Sequence, residues 1–195
     1  MIPSPIIQKL TLAEQQKIDS DLHFIKNFLK FSNHNNFRTI LSGGYALDSC
    51  PHTITRPHND IDLIIYSCRS RHISEQLIKE FISSNYPDSA ISSHSGSFNT
   101  SLSINYPGLG VDIYIVETVN HPQKDIHTVK KLDGKMVVNS TADFPLPIKT
   151  HLKDIQCESQ HPSRQLKDIL HKRKIDKSLT KHDQDIENLK LILDG

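Results

Sequence analysis

The first regular hydrophobic pattern in the chain runs from Thr11 to about Phe31. Apolar residues recur there every three or four positions, which is the spacing of an amphipathic helix. The positions concerned are Ile18, Leu22, Ile25 and Leu29. Thr11 and Glu14 form a capping-box pattern, in which the two side chains bond backbone N–H groups at a helix start. The segment is therefore predicted to be a long helix with one side facing a core.

Past this helix, short hydrophobic runs separated by turn residues predict strands and further helices. The predicted strands are residues 37–41, 60–66, 90–94, 98–105 and 111–117, with a hairpin over 128–139 that turns at Asp133-Gly134. The predicted helices are residues 45–50, 73–84, 148–157, 163–172 and 178–193. A strand-rich part followed by helices predicts an α+β fold. We expect a mixed β-sheet flanked by helices over residues 1–142 and a C-terminal helical region over residues 143–195.

Two carboxylates interrupt the hydrophobic strand that is predicted over residues 60–66. Asp60 and Asp62 are one residue apart, and alternate side chains of a strand point the same way. The pair therefore shares one face, while Ile61 and Leu63 point into a core. Two carboxylates this close raise each other's pKa unless a cation lies between them. Mg²⁺ is the cation that fits best, because it takes oxygen ligands and usually keeps a substrate phosphate among them.

A turn of small residues, Ser42-Gly43-Gly44, precedes this pair by sixteen residues. Backbone N–H groups approach a phosphate closely only where no Cβ intervenes, and such a turn suits an anion. The helix predicted over residues 45–50 would begin at the same place. The turn and the carboxylate pair together predict a site for a nucleoside triphosphate, in which Ser42, Gly43 and Gly44 contact the phosphates.

Two segments around this turn resemble the small aminoglycoside and lincosamide nucleotidyltransferases of the polymerase-β-like nucleotidyltransferase superfamily. Leu41–Asp48 has the Gly-Gly turn, an aromatic residue and an Asp, and Thr55–Leu63 has the order Thr-Arg-x-His-x-Asp-hydrophobic-Asp. Tyr45 departs from the pattern, since those enzymes often have Trp there. The resemblance covers only about Leu41 to Tyr66. It implies the nucleotidyltransferase fold and the transfer of a nucleoside monophosphate.

A third carboxylate is expected, because in-line attack on phosphorus also needs a metal ion or a base at the incoming hydroxyl. Asp112 is the candidate, since it lies at the start of the predicted strand over residues 111–117. Glu117 lies at the far end of that strand and on the opposite alternation. The resemblance implies the same, because the family takes a third acid from a later strand. Asp112 would ligate a second Mg²⁺ or accept the proton of the attacking hydroxyl.

The loop before Asp60 and the region after the sheet contain further candidates. Arg56 and His58 would either contact the triphosphate or brace the loop, and Asp48 would hold the glycine turn or pair with Arg56. The resemblance implies a lysine that reaches the triphosphate, for which Lys149 is the candidate; the alternative is a solvent-exposed lysine. It also implies that the segment 181–186 stabilises the final helix against the core.

Composition restricts the possible functions only slightly. The 195 residues include 23 basic and 22 acidic ones, a balance that argues against a dedicated nucleic-acid binder but not against a local basic patch. The 3 cysteines are isolated, which predicts a reducing cytoplasm, and no apolar stretch reaches the length of a membrane span. The 12 histidines do not follow a zinc-binding spacing.

These features predict a nucleotidyltransferase that uses one or two Mg²⁺ ions held by Asp60, Asp62 and Asp112. It would move a nucleoside monophosphate from a nucleoside triphosphate to a hydroxyl of a small molecule, aminoglycoside-like or lincosamide-like, and release pyrophosphate. Two alternatives stay open: transfer to a protein or a tRNA, and a nucleotide-binding module without turnover. The sequence does not specify the acceptor, the preferred base or the oligomeric state.

Overall fold

The computed structural model describes residues 10–96, 99–119, 127–132, 135–140, 146–175 and 183–194. Helices and strands alternate along these residues much as the hydrophobic pattern predicts. The helices are α1 (Leu12–His34), α2 (Gly43–Ser49), α3 (Arg71–Asn85), α4 (Pro162–Ile175) and α5 (Asp183–Asp194). The strands are β1 (Arg38–Ser42), β2 (Ile61–Ser67), β3 (Ala90–Ser95), β4 (Thr100–Tyr106), β5 (Leu109–Val119), β6 (His127–Leu132), β7 (Lys135–Ser140), β8 (Ile148–Leu152) and β9 (Ile155–Ser159).

The main sheet has the strand order β3-β4-β5-β2-β1-β9-β8. The pairs β2–β5 and β1–β9 are parallel, whereas the other neighbours in this order are antiparallel. The β6–β7 hairpin pairs with the end of β5. The predicted class, an α+β fold with a mixed sheet flanked by helices, is confirmed.

The two faces of the sheet have different surroundings. On β2, Ile61, Leu63 and Ile65 are fully buried, while Asp62 and the residues that alternate with them are only partly buried. The buried face packs against α1 and α3 in one core, to which the helices contribute Ile18, Phe24, Ile25, Phe28, Ile78 and Ile82. Burial of an apolar side chain of this size contributes about 1.5 to 3 kcal/mol. The core therefore fixes β2 and leaves the Asp62 face available for chemistry.

The start of α1 has the predicted capping box. The Thr11 hydroxyl accepts from the Glu14 backbone N–H at 3.3 Å, and Glu14 Oε2 accepts from the Thr11 backbone N–H at 2.8 Å. The helix continues to His34, three residues past the predicted end. Of the additional residues only Ser32 is buried, and tertiary packing of this kind extends a helix beyond its sequence pattern.

The prediction of a helix over residues 148–157 is wrong, because these residues form the β8–β9 hairpin. Burial along β8 alternates, with Thr150 and Leu152 buried between exposed neighbours, and a period of two belongs to a strand. Lys153 takes a φ of +53° at the turn, the conformation that tight hairpin turns require and that usually belongs to Gly or Asn. The sequence has no glycine at this turn. Lys149 and Lys153 are four residues apart, which is the spacing of one face of a helix, and this favoured the helix prediction.

The helical part of the C-terminal region begins later than predicted. The helical region that we expected over residues 143–195 contains the strands β8 and β9, and its first helix is α4. The start predicted for the last helix, residues 178–182, lies outside the described residues, as does the hairpin turn at 133–134. A division into two domains at residue 142 stays a prediction. No helix in the described ranges has the length and hydropathy that a bilayer crossing requires.

Candidate active site

The three predicted carboxylates lie at one end of the β2–β5 pair. Asp62 and Asp112 are direct partners in the parallel register, which places their Cα atoms on adjacent strands about 5 Å apart. Asp60 precedes β2 and is exposed. Burial raises the pKa of Asp62 from 3.8 to about 6, and the charges of Asp60 and Asp112 add to this rise. The structure therefore brings the three acids close enough to repel one another.

The glycine turn lies directly against Asp62. Ser42 is the register partner of Asp62 on β1, and Gly43 follows with a φ of +61°. A Cβ at Gly43 would lie 2.0 Å from Asp62 Oδ2, so no other residue fits there without moving the carboxylate. The Ser42 hydroxyl donates to Gln160 Oε1 at 2.8 Å, which ties the turn to the segment before α4.

His58 lies behind the turn. Its ring occupies the space of a side chain at Gly44, since a Cβ there would be 2.0 Å from His58 Nδ1. His58 Nε2 lies 2.7 Å from Asp48 Oδ2, and only 5% of the residue is exposed. Asp48 also accepts from the Thr55 hydroxyl at 2.8 Å. This placement corresponds to the second option for His58, that of bracing the loop.

Arg56 turns toward the C-terminal part of the chain. Its Nη2 donates to both carboxylate oxygens of Asp185 on α5, at 3.0 and 3.2 Å, so it pairs with Asp185 and not with Asp48. Arg56 is half-exposed whereas Asp185 is buried. The segment 181–186 was expected to hold the last helix against the core, and the Arg56–Asp185 pair joins that helix to the loop before Asp60.

The two lysines that bear on the phosphate prediction have different positions. Lys149 is exposed on β8, at the edge of the sheet and three strands from β2. Lys172 is exposed near the end of α4, and its positive charge lowers the pKa of Asp62, opposing the rise from burial. The structure therefore brings Lys172 within electrostatic reach of the carboxylates and leaves Lys149 away from them.

Two residues of the site carried no signal in the sequence. The Ser103 hydroxyl on β4 donates to Asp112 Oδ1 at 2.6 Å, and the two are register partners. Tyr114 lies two residues beyond Asp112 on the same face, where burial and the charges of the three carboxylates raise its pKa. Only the pairing of β4 with β5 reveals the Ser103 contact, and neither residue belongs to a recognisable motif.

The donor set fits a divalent cation. Among the residues that the structure describes, no group of three or more His, Cys, Asp or Glu side chains is already assembled as a metal site. The chemistry of the residues nevertheless suits Mg²⁺, since carboxylate oxygens are its usual protein ligands. Burial is the main cause of the raised pKa of Asp62, and the charges of Asp60 and Asp112, which a cation would neutralise, add to it. Gly43 supplies the cradle against Asp62 that a Cβ would fill.

The similarity of the chain to known proteins lies mainly in its fold. No protein-family model matches it, and a search of curated proteins gives no significant match. One similar structure is ANT(2″)-Ia in complex with adenylyl-2″-tobramycin, with a TM-score of 0.57 and 14% identity over 87% of this chain and 86% of that one. Another is the lincosamide antibiotic adenylyltransferase LnuA with lincomycin bound, with a TM-score of 0.57 and 19% identity over 85% of this chain and 94% of that one. The chain thus has the fold of the nucleotidyltransferases and resembles the small aminoglycoside and lincosamide enzymes, as its residues around the glycine turn predicted.

Proposed function

We propose that the protein is a Mg²⁺-dependent nucleotidyltransferase that moves a nucleoside monophosphate from a nucleoside triphosphate to an acceptor hydroxyl. The observation that carries the proposal is the placement of Asp62 between Asp112 and the glycine turn. Asp112 is its register partner on one side and Ser42 on the other. A fold shared with adenylyltransferases supports the reaction class, although fold alone does not decide it.

Each residue has a role in this proposal. Asp60, Asp62 and Asp112 would hold one or two Mg²⁺ ions, which neutralise phosphate charge and orient the leaving group when bound. The turn at Ser42, Gly43 and Gly44 lets the phosphates approach the backbone.

The transfer itself is a displacement at the α-phosphorus. The acceptor oxygen forms a bond to that phosphorus, the bond to pyrophosphate breaks, and the hydroxyl proton passes to Asp112. The hydrogen bond from Ser103 occupies Oδ1 of Asp112, which leaves its other oxygen for the proton where Asp112 acts as the base and not as a ligand of a second Mg²⁺. Catalysis of this kind depends on positioning and charge neutralisation and not on a covalent intermediate.

For the acceptor we retain a small molecule with an aminoglycoside-like or lincosamide-like hydroxyl as the first candidate, on the strength of the resemblance. A protein or tRNA acceptor is the second. The basic last turn of α4, Lys172, Arg173 and Lys174, favours the tRNA within that second candidate, since clustered cations attract phosphate-rich partners. A cytoplasmic location fits the free cysteines, Cys50, Cys68 and Cys157.

The acceptor class can be tested by pyrophosphate release. The protein would be incubated with Mg²⁺ and each of the four nucleoside triphosphates, together with a lincosamide, an aminoglycoside, bulk tRNA or a protein extract. We expect pyrophosphate release that depends on one acceptor. Mass spectrometry should then detect a nucleoside monophosphate attached to that acceptor. Release at the same rate without any acceptor, or the absence of release with all of them, would contradict the transfer proposed here.

A pair of lysine substitutions tests where the triphosphate lies. Lys172→Ala is expected to raise the KM for the triphosphate about tenfold, because a phosphate contact of a charged group contributes about 1.4 kcal/mol or more. Lys149→Ala removes the same charge from an exposed edge strand and is expected to leave KM unchanged. Steady-state kinetics with both variants shows which lysine contacts the triphosphate. A raised KM in Lys149→Ala alone would assign the contact to Lys149 instead.

A further inference from the structure

Buried carboxylates are concentrated around one loop of this protein. Among the described residues, the buried aspartates and glutamates are Asp21, Asp48 and Asp185. Each of them bonds either α2 or the loop of residues 51–60, which we call the active-site loop because it ends at Asp60. A buried carboxylate costs free energy unless hydrogen bonds or a cation satisfy it. Burying three carboxylates around one loop therefore costs free energy three times, and the structure must compensate for it.

Asp48 makes the most contacts with the active-site loop. Its carboxylate accepts from the Thr55 hydroxyl at 2.8 Å and lies 2.7 Å from His58 Nε2. Its backbone carbonyl accepts from the Thr53 N–H at 3.1 Å. One residue of α2 therefore binds the loop at three points between Thr53 and His58.

Asp21 and Asp185 fix the two sides of this arrangement. Asp21 on α1 accepts from the Tyr45 hydroxyl at 2.6 Å and pairs with Lys17 Nζ at 2.6 Å. The Tyr45 ring lies edge-on to the His58 ring, with centroids 4.6 Å apart, so α1 is connected through α2 to the loop. Asp185 holds Arg56 from the side of α5.

Asp60 depends on the loop for its position. It is exposed, and its carboxylate makes no hydrogen bond or ion pair within the described part of the chain. Since His58 also fills the space beside Gly44, the path of the loop determines both the first carboxylate and one side of the glycine turn.

We propose that Asp21, Asp48 and Asp185 form a clamp that holds the active-site loop, so that Asp48 and His58 are positioning residues for Asp60 and Gly44. The proposal rests on the nucleotide site proposed above. It assigns the buried carboxylates to the geometry of that site and not to general stability. Buried polar groups retained in this way exchange stability for a defined geometry.

Asp48→Ala tests the clamp, with Ser74→Ala as the matched control. Ser74 is also fully buried, and its hydroxyl donates to Ser67 at 2.9 Å, but that contact joins the start of α3 to the last residue of β2. Both variants lose a buried hydrogen bond and are expected to unfold at a lower temperature. Asp48→Asn, which keeps an acceptor for Thr55, serves as a milder variant if Asp48→Ala does not fold.

Two measurements separate positioning from stability. Amide hydrogen exchange below the unfolding transition reports order in residues 51–60 without any ligand. Calorimetric titration with MgATP reports the nucleotide site. We expect Asp48→Ala to lose protection in the loop and to bind MgATP at least about tenfold more weakly. Asp48→Asn is expected to lie between Asp48→Ala and wild type, and Ser74→Ala to match wild type in both measurements.

The outcomes distinguish the clamp from the proposed function. Unchanged loop protection in Asp48→Ala would overturn the clamp, and so would an affinity equal to that of Ser74→Ala. Failure of the wild type to bind any triphosphate would overturn the proposed function instead. In that case the exchange measurement still decides whether Asp48 orders the loop.

Discussion

Asp62→Asn is expected to reduce turnover by about 10²- to 10³-fold or more, the range seen when one preorganised electrostatic group is removed. Asp62 lies between Asp112 on β5 and Ser42 on β1, so its carboxylate is central to the proposed metal site. Asparagine keeps the shape of the side chain and removes its charge. Steady-state kinetics with saturating Mg²⁺ would measure the loss.

The same substitution is expected to stabilise the metal-free protein near neutral pH. The folded-state pKa of Asp62 is raised to about 6 from 3.8, so the folded state binds the proton more tightly than the unfolded state. This contribution to stability is fully present below pH 4 and is lost as pH rises through about 6. Asp62→Asn avoids the loss, which amounts to about 1 to 3 kcal/mol at pH 7 to 8. Denaturant unfolding in EDTA at pH 4 and pH 7.5 would detect the difference.

Asp154→Asn is the matched control for this prediction. Asp154 is an exposed residue whose pKa is lowered by its hydrogen bond with Lys26, so the sign of its effect on stability is opposite. We expect no change in turnover and no stabilisation at neutral pH. Wild-type turnover in Asp62→Asn, or a loss of stability for that variant in EDTA at pH 7.5, would contradict the role given to this carboxylate.

Gly43→Ala is expected to inactivate the protein as severely as the loss of a carboxylate. A Cβ at this position would lie 2.0 Å from Asp62 Oδ2 and 2.9 Å from its Cγ. The turn or the carboxylate must then move, and a small misplacement of a catalytic group costs about 10²-fold in rate. We expect MgATP affinity and turnover to fall together, as measured by calorimetry and kinetics on folded protein.

Gly108→Ala separates this clash from backbone strain. Gly108 has a φ of +77°, close to the +61° of Gly43, but a Cβ there would meet nothing within 4 Å. Both alanine variants should lose about 1 to 2 kcal/mol of stability from the left-handed conformation. Only Gly43→Ala should lose activity. Equal activities in the two variants would show that the contact with Asp62 has no part in the reaction.

Much of the fold could be predicted because hydrophobic periodicity is strong where an element faces the core. The repeat from Ile18 to Leu29 marked α1, and the alternation around Asp62 marked β2 with its core-facing and solvent-facing sides. The β8–β9 hairpin could not be predicted in the same way. Its strands are short, and Lys153 occupies a turn position that a sequence usually marks with Gly or Asn.

The residues of the candidate site that lie close to one another along the chain could be predicted from the sequence. Asp60, Asp62 and the glycine turn lie within about twenty residues of one another, and Asp112 followed from the need for a third acid. Strand pairing brings Ser103 to Asp112, and Lys172 on α4 is within electrostatic reach of Asp62. Neither residue has a local pattern, so only the three-dimensional arrangement identifies them.

The arrangement also changes how the basic and acidic residues are interpreted. From the sequence, Arg56 and His58 were candidates for the triphosphate. In the structure Arg56 is paired with Asp185, and His58 is paired with Asp48. Both side chains therefore hold the loop, while Lys172 is exposed and within electrostatic reach of Asp62.

The most direct test of the proposed nucleotide site is calorimetric titration of ATP, GTP, CTP and UTP, with and without Mg²⁺, into wild type and the Asp60→Ala/Asp62→Ala variant. We expect at least one triphosphate to bind the wild type only with Mg²⁺, and the double substitution to abolish this binding. Binding that persists in the variant would contradict the role of the carboxylates. Absence of binding to the wild type would leave a nucleotidyltransferase fold without the function proposed for it.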